Sequence, residues 1–197
     1  MRTPDEENLR SRHKAELRRR MLAVRGATPK EAREERTKRA TELARSLEWE
    51  GVQTVASFSA IRGEMDTRRL EDWLRERGIR IAYPCIDHSA NELVLRLAKR
   101  DELEEATFGL LEPKASCPII EQVDRILVPA LAIDPRGHRI GYGRGYYDRL
   151  LASIPNAERV GFVYDFQLVA EAPNQAGDIP VHKVVTDTRI LECQGAE

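Results

Sequence analysis

The chain has 197 residues, a formal net charge of −1 and 41% hydrophobic residues, enough apolar material for a core and too much for global disorder. No apolar run reaches the about 18 residues that a membrane span requires, and the charged N-terminus lacks the apolar centre of a signal peptide, so a cytoplasmic location is expected. The three cysteines, Cys85, Cys117 and Cys193, match neither a zinc pattern nor a disulfide framework.

Residues 1–45 hold 14 Lys+Arg against 8 Asp+Glu, leaving 18 against 25 in the remainder. The basic residues are interleaved with acids, as in Glu31-Ala-Arg-Glu-Glu-Arg-Thr-Lys-Arg39, the pattern of a solvated helix with charge pairs three and four apart. No aromatic residue precedes Trp49, so the arm has no platform for stacking bases, and no nucleic-acid partner is expected.

Residues 1–10 read as a frayed extension and 11–197 as one domain. A first helix is expected over 7–24, with Leu9, Leu17, Met21, Leu22 and Val24 as its apolar positions and Gly26 ending it. Thr28-Pro29-Lys30-Glu31 marks a second helix to about residue 47, with Thr28 as N-cap, Pro29 at the first position and Glu31 closing a capping box. A strand over 52–58 follows, then a helix capped by Asp66 or Thr67 and stopped by Gly78. Residues 79–83 and 92–97 alternate like the arms of a hairpin, and 101–122 read as irregular, with a turn at 108–113. The nearly all-apolar run 126–133 reads as one central strand buried on both faces. Residues 159–164 predict another strand, and 181–190 one or two short ones. Trp49 and Trp73 read as helix-face core residues, and none of the four histidines is assigned a ligand or base role.

Strands alternating with helices predict an α/β fold: a mostly parallel sheet with helices on both faces and a basic helical N-terminal segment. Ligands in such sheets collect at the carboxyl ends of the strands. Arg62-Gly63-Glu64, the run 137–148 and Tyr164-Asp165 are expected on that edge.

The densest chemistry is Gly137-His-Arg-Ile-Gly-Tyr-Gly-Arg-Gly-Tyr-Tyr-Asp148. Its glycines, 137, 141, 143 and 145, with Arg139 and Arg144 between them, allow backbone N–H groups and guanidinium groups to face a phosphate, and a helix N-terminus is expected just beyond. No Gly-Lys-Ser/Thr follows, so it is not a P-loop, and Gly141-x-Gly143-x-Gly145 lacks the spacing of a dinucleotide fingerprint.

The stretch from Val128-Pro-Ala-Leu-Ala-Ile-Asp134 through Asp148-Arg-Leu closely resembles the signature of the 5-formyltetrahydrofolate cyclo-ligase family, also called 5,10-methenyltetrahydrofolate synthetase. Lys14-x-x-Leu17-Arg18, Gly63-Glu64-Met65-Asp66-Thr67, Tyr83-Pro84, Phe108-Gly109-Leu110-Leu111-Glu112-Pro113 and Asp178-Ile-Pro-Val181 occur in the family's order. The resemblance covers about residues 11–190; it departs at Arg144, often Gly or Lys in the family, and at His182 and Lys183, where an acid is commoner.

The resemblance implies an ATP- and Mg²⁺-dependent conversion of 5-formyltetrahydrofolate to 5,10-methenyltetrahydrofolate; a monomer acting on small molecules, with neither nucleic acid nor membrane as partner, is expected. It implies that Lys14, Arg18, Arg139, Ile140, Gly141, Tyr142, Gly143, Arg144, Gly145, Tyr146 and Tyr147 bind ATP. Arg144 and Lys14 would be catalytic, Asp148 and Asp178 would hold Mg²⁺, and Glu64 would accept hydrogen bonds from the pterin, with Ser59, Tyr142, Gly143, Arg144, Gly145 and Tyr146 also lining the folate site. Tyr147 is equally compatible with a place in the core. Two other readings stay open: a non-catalytic folate-binding protein, and a sugar-phosphate isomerase on a related fold, which would need no magnesium carboxylates.

Overall fold

A computed structural model of the chain describes residues 4–106 and 109–195. Two helices open it, α1 (Pro4–Ala27) and α2 (Lys30–Arg45), followed by β1 (Thr54–Ala56), α3 (Arg68–Arg75) and the hairpin β2 (Arg80–Asp87) and β3 (Glu92–Leu97). Short strands β4 (Leu103–Glu105), β5 (Leu111–Pro113) and β6 (Ile119–Ile120) lead to β7 (Arg125–Val128). Then come β8 (Ala132–Ile133), β9 (Arg139–Ile140), α4 (Tyr146–Ser153), β10 (Glu158–Phe162), β11 (Lys183–Val185) and β12 (Ile190–Glu192).

The main sheet has the order β12-β11-β10-β7-β1-β2-β3-β6. Its five inner strands, β11 to β2, are parallel, and the outer β12, β3 and β6 pair antiparallel. Side chains alternate between the faces, as the pleat requires. Val55, Ile81, Leu127, Val160, Phe162 and Val185 pack with Ala40 and Ala44 of α2 and Leu70 and Leu74 of α3. Ala56, Ala82, Ile126, Val128 and Val184 pack with Leu150 and Leu151 of α4. The expected α/β architecture is therefore present.

Several local expectations change. Helix α1 begins upstream of residue 7; Leu9 and Val24 are exposed on it, while Met21 is buried. Thr28 does not cap α2: its hydroxyl donates back to the Val24 carbonyl at 2.9 Å, finishing α1, and Pro29, with φ −56° and ψ 149°, occupies the cap position. Thr67 occupies the cap of α3 without a side-chain cap bond, and Asp66 Oδ1 accepts the Arg68 N–H at 2.9 Å. The region read as irregular contains β4 paired with β5, and Phe108 of the expected turn lies outside the described residues. Trp49 follows α2 rather than lying on it, and meets Trp73 edge to face at 5.9 Å.

The run 126–133 is two strands, not one. Pro129 has no N–H to donate to a ladder, so β7 ends at Val128, and the chain leaves the sheet to form the small β8–β9 hairpin. Buried Asp134 holds the bend, its Oδ1 accepting the Arg136 and His138 N–H groups and its Oδ2 that of Ala172, each at 3.0 Å. This detour carries the glycine run above the sheet and onto α1.

Candidate active site

Helix α1 presents Lys14, Arg18, Met21 and Arg25 on one face, since spacings of four, three and four residues return to the same side of an α-helix. Met21 packs with Leu131, Ala132 and Ile140 and so lays this face on the β8–β9 hairpin. The basic side chains on either side of it then meet the loop 141–145. Arg18 Nε donates to the Gly141 carbonyl at 2.9 Å. Gly143 has φ +95°, and a Cβ there would lie 3.2 Å from the Arg18 guanidinium, so glycine permits both the turn and the close approach. Gly145, with φ +67°, stands at the N-cap of α4.

Below the loop, buried Arg139 donates from Nη2 to Asp148 Oδ1 at 2.8 Å and from Nη1 to the Ile179 carbonyl. Asp148 Oδ1 also accepts the Ile179 N–H at 3.2 Å. Next along the chain, Asp178 Oδ2 accepts from Lys14 Nζ and from the Gln175 N–H, both at 2.9 Å. Both carboxylates named from the sequence thus lie at one place, joined through Ile179, and each carries a cationic partner. Among the described residues no cluster of three or more His, Cys, Asp or Glu side chains suits a metal. Asp148 Oδ2 and Asp178 Oδ1 nevertheless keep an oxygen without a protein donor among the described residues. Two such oxygens beside the glycine loop could hold Mg²⁺, which binds through one or two carboxylates and retains water.

A second cluster sits beyond β1, where the sheet order reverses between β1 and β7, the position of the ligand crevice in open α/β sheets. Glu64 is 9% exposed. Its Oε1 accepts from the Tyr142 hydroxyl at 3.0 Å and its Oε2 from the Ile61 N–H at 3.0 Å. Arg25, 1% exposed, lies with Nη1 3.7 Å from Glu64 Oε1. It also donates from Nε to the Arg62 carbonyl at 3.0 Å and from Nη2 to the Tyr142 hydroxyl. Burial pushes the Glu64 carboxyl above the usual range, against the Ile61 N–H and the Arg25 charge, which pull it back. Burial and the Glu64 charge push the Tyr142 hydroxyl up to about 12. A groove of about 650 Å³ leads to Glu64 between Lys30, Arg33, Gly63, Arg68 and Tyr164.

The other residues named from the sequence divide. Arg144 is exposed, and its guanidinium has no partner among the described residues. Ile140 is 1% exposed and packs into the core, so its side chain is turned away from any ligand. Tyr147 packs against the core cluster under α4. The Tyr146 hydroxyl donates to Asn91 Oδ1 at 2.8 Å, in the β2–β3 turn. Ser59 Oγ accepts the Leu111 N–H at 3.3 Å. Arg25 went unnamed, and Arg62 was placed on the ligand edge beside Gly63 and Glu64 without a role of its own. The signal for Arg25 was its register, because it continues the face of Lys14, Arg18 and buried Met21; for Arg62, with φ +48°, the sequence offered only its place beside Gly63.

The chain is similar to known proteins along most of its length. The family described as 5-formyltetrahydrofolate cyclo-ligase matches residues 10–187. The 5-formyltetrahydrofolate cyclo-ligase of Escherichia coli is 31% identical over 175 residues, 85% of this chain and 96% of that protein. That of Mycolicibacterium smegmatis is 32% identical over 186 residues, covering 90% and 95%. The NMR structure of Aquifex aeolicus 5,10-methenyltetrahydrofolate synthetase superposes with a TM-score of 0.82 at 31% identity, covering 93% of this chain and 94% of that one.

Proposed function

The chain belongs to the 5-formyltetrahydrofolate cyclo-ligase family and is an enzyme of that kind, and from this premise we propose that it converts 5-formyltetrahydrofolate to 5,10-methenyltetrahydrofolate at the expense of ATP. The observation that carries the proposal is the 3.0 Å bond between Tyr142 and Glu64. It ties a carboxylate able to accept pterin N–H groups to the loop that can cradle phosphates, so both reactants meet on one element.

The formyl carbon on N5 belongs to an amide and resists attack by N10. Transfer of the terminal phosphoryl group of ATP to the formyl oxygen releases ADP and makes that oxygen a leaving group. N10 attacks the carbon and loses its proton, the C–O bond breaks, and phosphate departs. Such a transfer needs chiefly positioning and charge neutralisation. Lys14, Arg18 and the N–H groups of 141–145 hold the phosphate chain. Arg144, exposed and without a side-chain partner among the described residues, covers the transferred group. Asp148 and Asp178 would hold Mg²⁺, which would neutralise phosphate charge. Glu64 orients the pterin, and the groove beside it gives the folate room. The same reading makes the protein a cytoplasmic monomer with small-molecule partners.

Incubation with 5-formyltetrahydrofolate, Mg²⁺ and ATP, following methenyl absorbance and ADP together, tests the proposal. Equal amounts of both products are expected. Folate binding without ATP-dependent product would instead mark a folate-binding protein.

A further inference from the structure

The glycine loop is fastened at both ends, and the fastening at its exit involves a cation that the proposed reaction does not use. At the entry, Arg18 of α1 holds the Gly141 carbonyl and Glu64 holds the Tyr142 hydroxyl. Beyond these come Gly143, Arg144 and Gly145. Glycines on either side leave the Arg144 backbone free to turn unless something outside the loop restrains it.

Arg149, exposed in α4, supplies that restraint. Its Nη1 donates to the Arg144 carbonyl at 3.3 Å and its Nη2 to the Asn91 carbonyl at 3.2 Å. Its guanidinium carbon lies 5.1 Å from the centre of the Tyr146 ring, within the range of a cation–π contact. A Cβ on Gly145 would stand 3.2 Å from Arg149 Nη1. One planar group thus lies against 144, 145 and 146 together and ties them to the β2–β3 turn. No carboxylate pairs with it among the described residues.

The anchor at the other end is itself firm. Ladder pairing of β2 with β3 continues to Asp87 and Glu92. Asp87 Oδ1 accepts the Ser89 N–H at 2.9 Å and the Ser89 hydroxyl at 2.6 Å. Asn91 closes the turn with φ +54°, a left-handed conformation that asparagine tolerates better than most residues. It holds the loop exit twice, since its Oδ1 also accepts the Tyr146 hydroxyl at 2.8 Å.

We propose that Arg149 is a positioning residue for the reaction: with Asn91 it clasps the exit of the glycine loop and so fixes where the Arg144 guanidinium stands. The inference rests on the proposed role of Arg144 and adds what aims it. The competing role for Arg149, a plain cation attracting phosphate, is separable by chemistry. Two carbonyls and a ring face need a planar fork, which lysine lacks, whereas attraction of phosphate needs only charge.

Arg149→Ala and Arg149→Lys in the whole protein make the test. Because the position is exposed, both variants should melt within about 2 °C of the parent. Both should lose kcat by about tenfold through misplacement of Arg144, with KM for ATP and for folate within about twofold. In an Arg144→Ala background, Arg149→Ala should cost less than about twofold in kcat, because no guanidinium is left to aim. Lysine that restores the parent kcat would make Arg149 a plain cation, and a full tenfold loss in the Arg144→Ala background would make it act independently of Arg144; either overturns the proposal. Hydrogen exchange without substrates reads the clasp itself. Amides of 143–146 should exchange about tenfold faster in both variants, as for the loss of a hydrogen bond or two, with β7 and β10 unchanged. Parent-like exchange at 143–146 overturns the clasp whatever the turnover. Faster exchange in a protein whose parent shows no ATP-dependent turnover would instead overturn the part of Arg149 in the reaction and leave a structural tie.

Discussion

Replacing Arg25 by methionine removes the buried cation beside Glu64 while keeping a side chain of similar length in the core face of α1. The distance of 3.7 Å between Arg25 Nη1 and Glu64 Oε1 gives an attraction of about 4.5 kcal/mol at an effective dielectric constant of about 20. Removing one member of a buried pair costs about 3–5 kcal/mol, because the other charge is left desolvated. Arg25→Met should therefore lower unfolding free energy by about 4 kcal/mol at pH 8, a large share of the about 5–15 kcal/mol of a natural domain. The loss must depend on pH. Without Arg25, the Glu64 carboxyl is raised further above its unfolded value, and a raised acid loses stability as pH climbs from the unfolded to the folded value. The deficit should thus be smaller at pH 5 than at pH 8, as read by urea titration at both. Neutralising the stranded charge with Glu64→Gln in the same chain should recover more than half of the loss, a coupling that a double-mutant cycle isolates. A deficit below about 1 kcal/mol that is equal at both pH values would refute a charge-pairing role for Arg25.

Arg144→Ala should reduce kcat by about 10²–10³-fold, as for loss of a donor to transition-state charge, with the folate KM nearly unchanged; equal losses in kcat and folate affinity would make Arg144 a binding residue only. The folate KM should rise as pH falls through the Glu64 value, which burial holds above that of ordinary glutamate, and Glu64→Gln should abolish this limb; identical profiles in parent and variant would exclude an ionised Glu64 from folate binding. Gly137→Ala would bring a Cβ within 2.2 Å of the Val181 carbonyl at φ +85°, and should cost about 3 kcal/mol or more in backbone strain and overpacking; parent-like denaturation would show that the bend yields more easily than its geometry suggests.

The fold class was legible because strand and helix periodicities alternate cleanly, and because the arms of the β2–β3 hairpin alternate as a half-buried pair must. What failed was local and has local causes. Pro129 sits inside an apolar run whose hydropathy reads straight through it, yet the ladder ends there for want of an N–H. Thr28 offered a hydroxyl at the right spacing for α2, but the end of α1 had the nearer claim. In the site, the glycine run announces itself by composition, and Lys14 and Arg18 became visible through a family pattern. Arg25 did not, since an arginine in a basic helix reads as solvated until its partner is known, and Glu64 lies 39 positions away. Only tertiary packing brings that pair together. Ile140 shows the converse: inside the motif by position, yet committed to the core by the pairing of β8 with β9.

The bonds fastening α1 to the rest of the site span most of the chain: 117 positions from Arg25 to Tyr142, 123 from Arg18 to Gly141 and 164 from Lys14 to Asp178. Helix α1 thus waits for segments at least 117 residues downstream before these cations find their partners. Until residue 178 has emerged, Lys14 has no carboxylate to meet and Asp148 no Ile179 N–H. A nascent chain can build much of its sheet and still lack a working centre, so competence arrives as one late event of assembly rather than by degrees. For the same reason α1, held chiefly by one side-chain face, is the natural piece to supply as a separate peptide when asking whether the remaining layers fold without it.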